Sequence, residues 1–364
     1  MNYFWRPRLG RGRLRSNETP EAIRLLNQMI NRFFLALLFA AALVLNCTAA
    51  TTITLGTLAP EGTTYHRTLL ELREAWRKAP GGGVNLRIYA GGKMGGDLKM
   101  VSQMRLGTLD AAMVTANGLA EIEPAVTGLQ SIPMMFRTLD EVDYIGAQLQ
   151  PDLEKQMEAK GFVVLFWSDA GWVHFFSKKA AETPDEMRKM KMFNWAGDAY
   201  GPGIWRSAGF QSVQLDPSEI VPMLETSVIT AIPTPPFVAL ATQVYDRAPH
   251  MLDLNWAPLV GAMVIRKSVW DKLPADTKPV LMKAAIEAGK ANKIAGRAES
   301  LKAVQAMKEK GLTVHPITPA LEDAWRKTAE AVYPEFRGKI VPAETFDRVQ
   351  TLLKEYRVRN GGKP

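Results

Sequence analysis

The chain has 364 residues, more than one hydrophobic core commonly holds, so two lobes are expected. Its 47% hydrophobic and 23% charged residues are the composition of an ordinary globular protein. The formal charge of +8 does not mark a nucleic-acid binder, because residues 1–49 alone hold seven Arg, no Lys and two Glu, leaving about +3 for the rest.

The first 49 residues read as a leader with a signal peptide. Phe33 to Leu45 ("FFLALLFAAALVL") is an apolar run preceded by Arg32 and followed by "CTAA", too short to span a bilayer and suited to a secretory signal. Met29 offers a second start position, and cleavage is expected after Ala49 or Ala50. The expected location is therefore periplasmic. Cys47 is the only cysteine. Lipid anchoring there is the lesser reading, because Asn46 stands where lipoprotein processing takes Gly, Ala or Ser. With Cys47 removed, no disulfide is expected.

"TTITLGTLAP" alternates and reads as a first strand. "TTYHRTLLELREAWRKA" carries Leu69, Leu72 and Trp76 at helical spacing and stops at "PGGG". A strand "VNLRIYAGG", a helix "DLKMVSQMRLG" and a strand "LDAAMVTANG" follow. Strands alternating with helices indicate α/β lobes. "GFVVLFWSDAGWVHFFSKK" reads as two strands around a turn at Ala170–Gly171. Then come a strand through "KMKMFNW", a helix around "AYGPGIWRSAGF", a strand "SVQL" and a helix from Pro217. The longest element runs from about Ala275 to Lys310 and ends at Gly311, ~50 Å of helix if unbroken.

Catalytic and metal signatures are missing from the sequence. The four His, at 66, 174, 250 and 315, have no helical ligand spacing, and there is no H-E-x-x-H. No G-x-S-x-G elbow occurs. "GGKMGG" lacks the Ser or Thr that a phosphate loop needs after Lys93, and reads as a strand-to-helix turn. The expectation is a binding protein rather than an enzyme, with no cofactor and no metal.

Two stretches carry a family resemblance. "AGGKMGGDLKMVSQMRLGTLDAAMV" (Ala90–Val114) resembles the "G-x-L-G-G-D … G-T-L-D-M" signature of solute-binding proteins of tripartite ATP-independent periplasmic (TRAP) transporters, the DctP type. "TPDEMRKMKMFNWAGDAYGPGIWRSAGFQSVQLDPSEIVPMLETSVITA" (Thr183–Ala231) resembles their "T-P-x-D-L-K-G-L-K-I-R-V-P … S-E-V-Y-x-A-L-Q-T-G-V-I-D-G" block. "VWDKLPADTKPVLMKAAIEAG" matches the lead into the family's long helix. The likeness implies a two-lobed α/β periplasmic-binding-protein fold with a long helix spanning both lobes. It also implies a ligand cleft between lobes that close by a hinge, and a membrane permease as partner. Lobe 1 is expected over 50–170 and 259–300, lobe 2 over 171–258 and 301–355, and a tail over 356–364.

The resemblance also exposes departures. The family strand "L-K-G-L-K-I-R-V-P" carries an Arg that grips a substrate carboxylate with two parallel hydrogen bonds. Here Phe193 falls at that Arg, Asn194 at the Val and Trp195 at the Pro. A second family Arg falls at Val173, and the polar end of the "V-I-D-G-x-E-N-P" block becomes Ile232, Pro233 and Thr234. Without a guanidinium fork the strongest carboxylate partner is gone. The expected small-molecule ligand is therefore apolar or aromatic, lying against Phe193 and Trp195. Trp256 belongs to the segment that returns through the family's cleft, as does Pro258. Trp172 and Trp256 suit core and cleft equally. Thr115 and Asn117 are expected at the mouth of the first lobe, and Tyr65 at a helix start facing it. Phe166, Trp167 and Phe175 read as core, and Asp198 as a helix cap. The alternative is an organic acid held by another cation, with Arg206, Arg137 and Lys93 as candidates. An exported enzyme is the remote alternative.

Overall fold

A computed structural model describes residues 51–80, 83–196 and 201–361, with positions 24, 25, 28, 29 and 32 before them. The apolar run at 33–45, Cys47 and the cap expected at Asp198 lie outside the described residues. From Ala50 onward the chain is one unit by its internal contacts.

β1 (Thr51–Thr57) leads into α1 (Thr64–Arg77), whose first turn is capped by the Thr63 hydroxyl accepting from the His66 N–H. Leu69, Leu72 and Trp76 are buried, as their spacing predicts. β2 (Val84–Tyr89) lies parallel on one side of β1, and after α2 (Asp97–Leu106) β3 (Ala111–Thr115) lies parallel on the other. Gly107, at φ 81°, closes α2 in the left-handed cap that glycine favours. α3 (Leu139–Ala159) starts at a Thr138 cap and packs on the outer face of the sheet.

β4 (Phe162–Ser177) is one 16-residue strand where two strands around a turn are expected. β5 (Lys191–Trp195), α4 (Gly201–Ser207), β6 (Gln211–Leu215), β7 (Ala231–Thr234) and β8 (His250–Arg266) follow. Against β8, the register of β4 slips between Asp169 and Trp172 and again between Val173 and Phe175. Gly171 does take a positive φ of 71°. The turn signal is thus genuine, but it makes a bulge rather than a reversal, because β8 continues alongside and holds the strand in the sheet. Pro258, which has no N–H to give a ladder, stands opposite Trp172 at that bulge.

α5 (Thr277–Lys308), β9 (Thr313–His315), α6 (Pro319–Ala331) and α7 (Ala343–Arg359) complete the elements that matter here. Among the described residues nine strands form one sheet, in the order β2-β1-β3-β8-β4-β7-β5-β6, with β9 beside β8. The end of β8 (Gly261 to Ile265) pairs with β3, while the end of β4 (His174 to Ser177) pairs with β7. Two long strands therefore run through both halves, and the fold is the expected two-lobed α/β one. The first lobe buries one cluster on each sheet face, around Met100, Ile145 and Val264 and around Ile53, Trp76 and Leu281. The second does the same around Phe176, Ile232 and Met307 and around Phe175, Phe210 and Trp325.

α5 spans both lobes. Its 32 residues make about 48 Å of helix. Leu281 and Ala285 enter a first-lobe cluster, and Ala303 and Met307 a second-lobe one. Between them the buried face carries Gly289, Asn292, Gly296 and Ser300, small or polar residues that let β4 and α1 come close. A Cβ at Gly296 would stand 2.1 Å from the Tyr65 hydroxyl. Gly296→Ala is therefore expected to lower stability by about 1–3 kcal/mol despite its better helix propensity. Thermal denaturation checks this; a more stable variant would show that the helix shifts freely.

The C-terminal chain does not stay with the second lobe as the 301–355 range expects. Trp325 of α6 is there, but Phe346, Val349 and Leu353 of α7 are buried with Ile145 of α3 in the first lobe. The physical reason is the apolar stripe on α7, which only the α3 side completes. Among the described residues no helix is long and apolar enough to cross a membrane.

Candidate functional site

The strands of both lobes end at one cleft of about 960 Å³. Its size suits a small organic molecule with room for water. The first lobe supplies the loop after β1, the start of α2 and the end of β3. The second supplies the ends of β5 and β7 and one side of α4. The middles of β4 and β8 form the floor.

Seven of the eight residues expected to meet ligand line this cleft: Phe193, Trp195, Trp256, Thr234, Thr115, Asn117 and Tyr65. Trp172 does not, and instead packs half-buried against the first-lobe core. Its neighbour Val173 lines the cleft, and successive side chains of a strand point to opposite faces, so Trp172 points away from the floor. Several of the seven are less available than expected. Phe193 is 4% exposed and belongs to the second-lobe core, meeting Trp195 edge-on at 5.2 Å. Trp256, 8% exposed, packs between Phe175 and Trp205 at 5.0 and 5.3 Å. Phe175 lines the cleft but is buried in the core, and Phe166 is core, as expected; Trp167 is only half-buried, lying against the first-lobe core with its indole N–H donating to Glu154. The Tyr65 hydroxyl donates to the Asp169 carbonyl at 2.6 Å, and its ring stacks on Phe237 at 4.8 Å. Burial pushes the Tyr65 phenol up, so it stays neutral.

The Thr115 hydroxyl is also committed. It donates to Oδ2 of Asp97, which accepts the Thr115 backbone N–H as well, at 3.2 Å. Asp97 is buried at the start of α2, and its other oxygen, Oδ1, has no partner among the described residues. Burial raises its pKa to about 6 against the pull of the two Thr115 donors. Ser168 and Ser212, on β4 and β6, likewise line the cleft with buried hydroxyls that lack partners among the described residues.

No arginine lines the cleft among the described residues. The three alternative cations do not reach it: Lys93 is spent on Glu61 at 2.5 Å, Arg206 is exposed on the outer side of α4, and Arg137 sits beside Glu141 and Arg357. The cations in the lining are Lys99, exposed on α2 and without an ion pair among the described residues, and Lys339, paired with Glu335. Sequence reading passes over Lys99, although it stands in the "GGDLKM" motif, and over Trp205, Asp97 and Ser168. A local pattern carries no sign that α4 turns Trp205 toward a ring on β8 some fifty residues away. Among the described residues no group of three His, Cys, Asp or Glu is placed to hold a metal ion.

Residues 55–339 match the family model described as DctP, bacterial extracellular solute-binding protein family 7. The chain belongs to that family. The DctP-type proteins are the solute-binding subunits of TRAP transporters, a family of binding proteins and not of enzymes. The chain is 26% identical over 293 residues to the C4-dicarboxylate-binding periplasmic protein DctP of Rhodobacter capsulatus, covering 78% of this chain and 86% of that one. In fold it is similar to the sugar acid binding protein DctPAm of Advenella mimigardefordensis in complex with galactonate, with a TM-score of 0.78 at 18% identity over 84% of this chain and 98% of that one. It is also similar to a TRAP periplasmic solute binding protein of Sulfurospirillum deleyianum with bound succinate, with a TM-score of 0.76 at 21% identity over 84% and 100%. Each of these relatives is described with an organic acid.

Proposed function

We propose that this DctP-type protein is exported, binds a hydroxylated organic acid in its interlobe cleft and delivers it to a TRAP membrane permease. The observation that carries the ligand class is the set of buried oxygens without partners: Asp97 Oδ1, Ser168 Oγ and Ser212 Oγ. These oxygens are already out of reach of water, an apolar ligand would leave them unpaired, and each buried polar atom without a partner costs about 1–3 kcal/mol. A ligand bearing hydroxyls would pair them. Its carboxylate would meet Lys99, and the indoles of Trp195, Trp205 and Trp256 would cover its C–H faces. The acids named for the relatives support this reading, and the missing guanidinium distinguishes the way the acid is held.

Calorimetry with galactonate, succinate, uncharged galactitol and indole tests it. A hydroxy acid is expected to bind and galactitol is not. Lys99→Met is expected to weaken the acid about fivefold, since a rim charge contributes about 1 kcal/mol. The rings favour one other reading, the apolar ligand. Indole binding tighter than every acid, with Lys99→Met silent, would establish that reading and overturn the proposal.

A further inference from the structure

β4 crosses from one lobe to the other at its bulge, where Ala170 and Gly171, between the pairs Asp169–Val260 and Trp172–Pro258, lose regular ladder partners. Helices supply partners to the backbone along this stretch. Tyr65 Oη donates to the Asp169 carbonyl at 2.6 Å, and Ser300 Oγ of α5 donates to the Ala170 carbonyl at 3.1 Å. The Gly171 N–H donates to Asp169 Oδ1 at 3.1 Å. The same carboxylate receives a two-pronged grip from Arg297 of α5, Nε to Oδ1 and Nη2 to Oδ2, both at 2.7 Å. The guanidinium also donates to Asp143 of α3 at 2.6 and 3.1 Å, and Lys293 pairs with that carboxylate too.

The cluster is therefore two acids and two bases behind the cleft, joining the long helix, a first-lobe helix and the crossing strand. Burial opposes the charge on Arg297, but hydrogen bonds to Asp169 and Asp143 hold its pKa above the usual range. Planar fork-to-carboxylate geometry fixes orientation as well as distance. A buried ion pair adds little net stability. Its consequence here is angular: with Arg297 seated, the strand leaves the bulge in one direction relative to α5.

We propose that Arg297 is a positioning residue that sets the lobe hinge, clamping the crossing of β4 to the long helix through Asp169. Ser168 and Asp169, which line the cleft, are held by the same clamp. This inference rests on the two-lobed binding fold and not on the identity of the ligand, so it can fail while the proposed ligand class stands, and the reverse.

Single-molecule energy transfer on the ligand-free protein tests it. Dyes are placed at Leu106→Cys and Lys189→Cys, exposed positions on the two lobes, in a chain with Cys47→Ser. Arg297→Met is expected to at least double the width of the interlobe distance distribution, and Arg297→Lys to narrow it part-way back. A lowered melting temperature with an unchanged width would make the cluster a stability feature only and overturn the proposal. Where Arg297→Met alone does not fold, Arg297→Met with Asp169→Asn removes both charges while leaving an oxygen for the Gly171 N–H. Broadening in that double variant supports the clamp; wild-type width refutes it.

Discussion

Phe193→Ala is expected to destabilise the protein by about 3–5 kcal/mol in urea denaturation, the usual cost of emptying a buried phenyl site. The ring is 4% exposed and sits with Ile232, Phe237 and Leu224 in the second-lobe core. Ligand affinity should fall as well, by a smaller and indirect effect, because Phe193 supports Trp195 edge-on and the smaller residue lets that indole turn. Phe193→Leu should cost less than about 1.5 kcal/mol, since most of the volume remains. Phe193→Arg supplies the residue that the family resemblance implies at this position, but sets it among the apolar side chains that pack around Phe193. A guanidinium there would be buried unpaired, so loss of folding is expected rather than a new acid site. A Phe193→Ala protein with wild-type stability and abolished binding would reverse this assignment.

That outcome bears on what the sequence could disclose. Two rings at alternate positions of a strand do share a face, and Phe193 and Trp195 are in contact as that spacing requires. Their division of labour, one inside and one at the cleft, depends on Phe237 and Ile232, which arrive from another strand and a later helix. The alternation of β1, α1, β2, α2 and β3 was legible because each element has its own periodicity and its own stop residues. β4 was not: Gly171 gives the same local signal in a bulge as in a turn, and only the presence of β8 beside it separates the two. The cleft cation was missed for a related reason. An arginine missing from β5 directs attention to other arginines, while Lys99 is brought to the cleft by the start of α2 on the opposite lobe. The packing of α7 on α3 joins elements nearly two hundred residues apart and has no local trace at all.

Asp97 should make stability fall as pH rises from about 4 to about 6. Its carboxyl titrates near 6 in the folded protein against an ordinary 3.8, because burial disfavours the charge more than the Thr115 donors favour it. Across that window the folded state binds more protons than the unfolded state, so the favourable contribution is complete below the ordinary value and lost above the raised one. The total is about 3 kcal/mol, from roughly two pKa units. Asp97→Asn removes the titration, and its unfolding free energy should be flatter between pH 4 and 7, by about that amount, than the natural protein's. The level at pH 7 is a separate matter: the amide nitrogen would be buried at the place of Oδ1 without an acceptor, offsetting about 1–3 kcal/mol of the gain. Affinity should move the other way, because an amide donor standing where Oδ1 stood cannot accept a ligand hydroxyl. A variant at least as stable as the natural protein but poorer at binding is what an oxygen kept unpaired for a ligand would produce. Identical pH slopes in the two proteins would mean that Asp97 is solvated and its charge is not under strain. In that case its unpaired oxygen would no longer argue for a hydroxylated ligand.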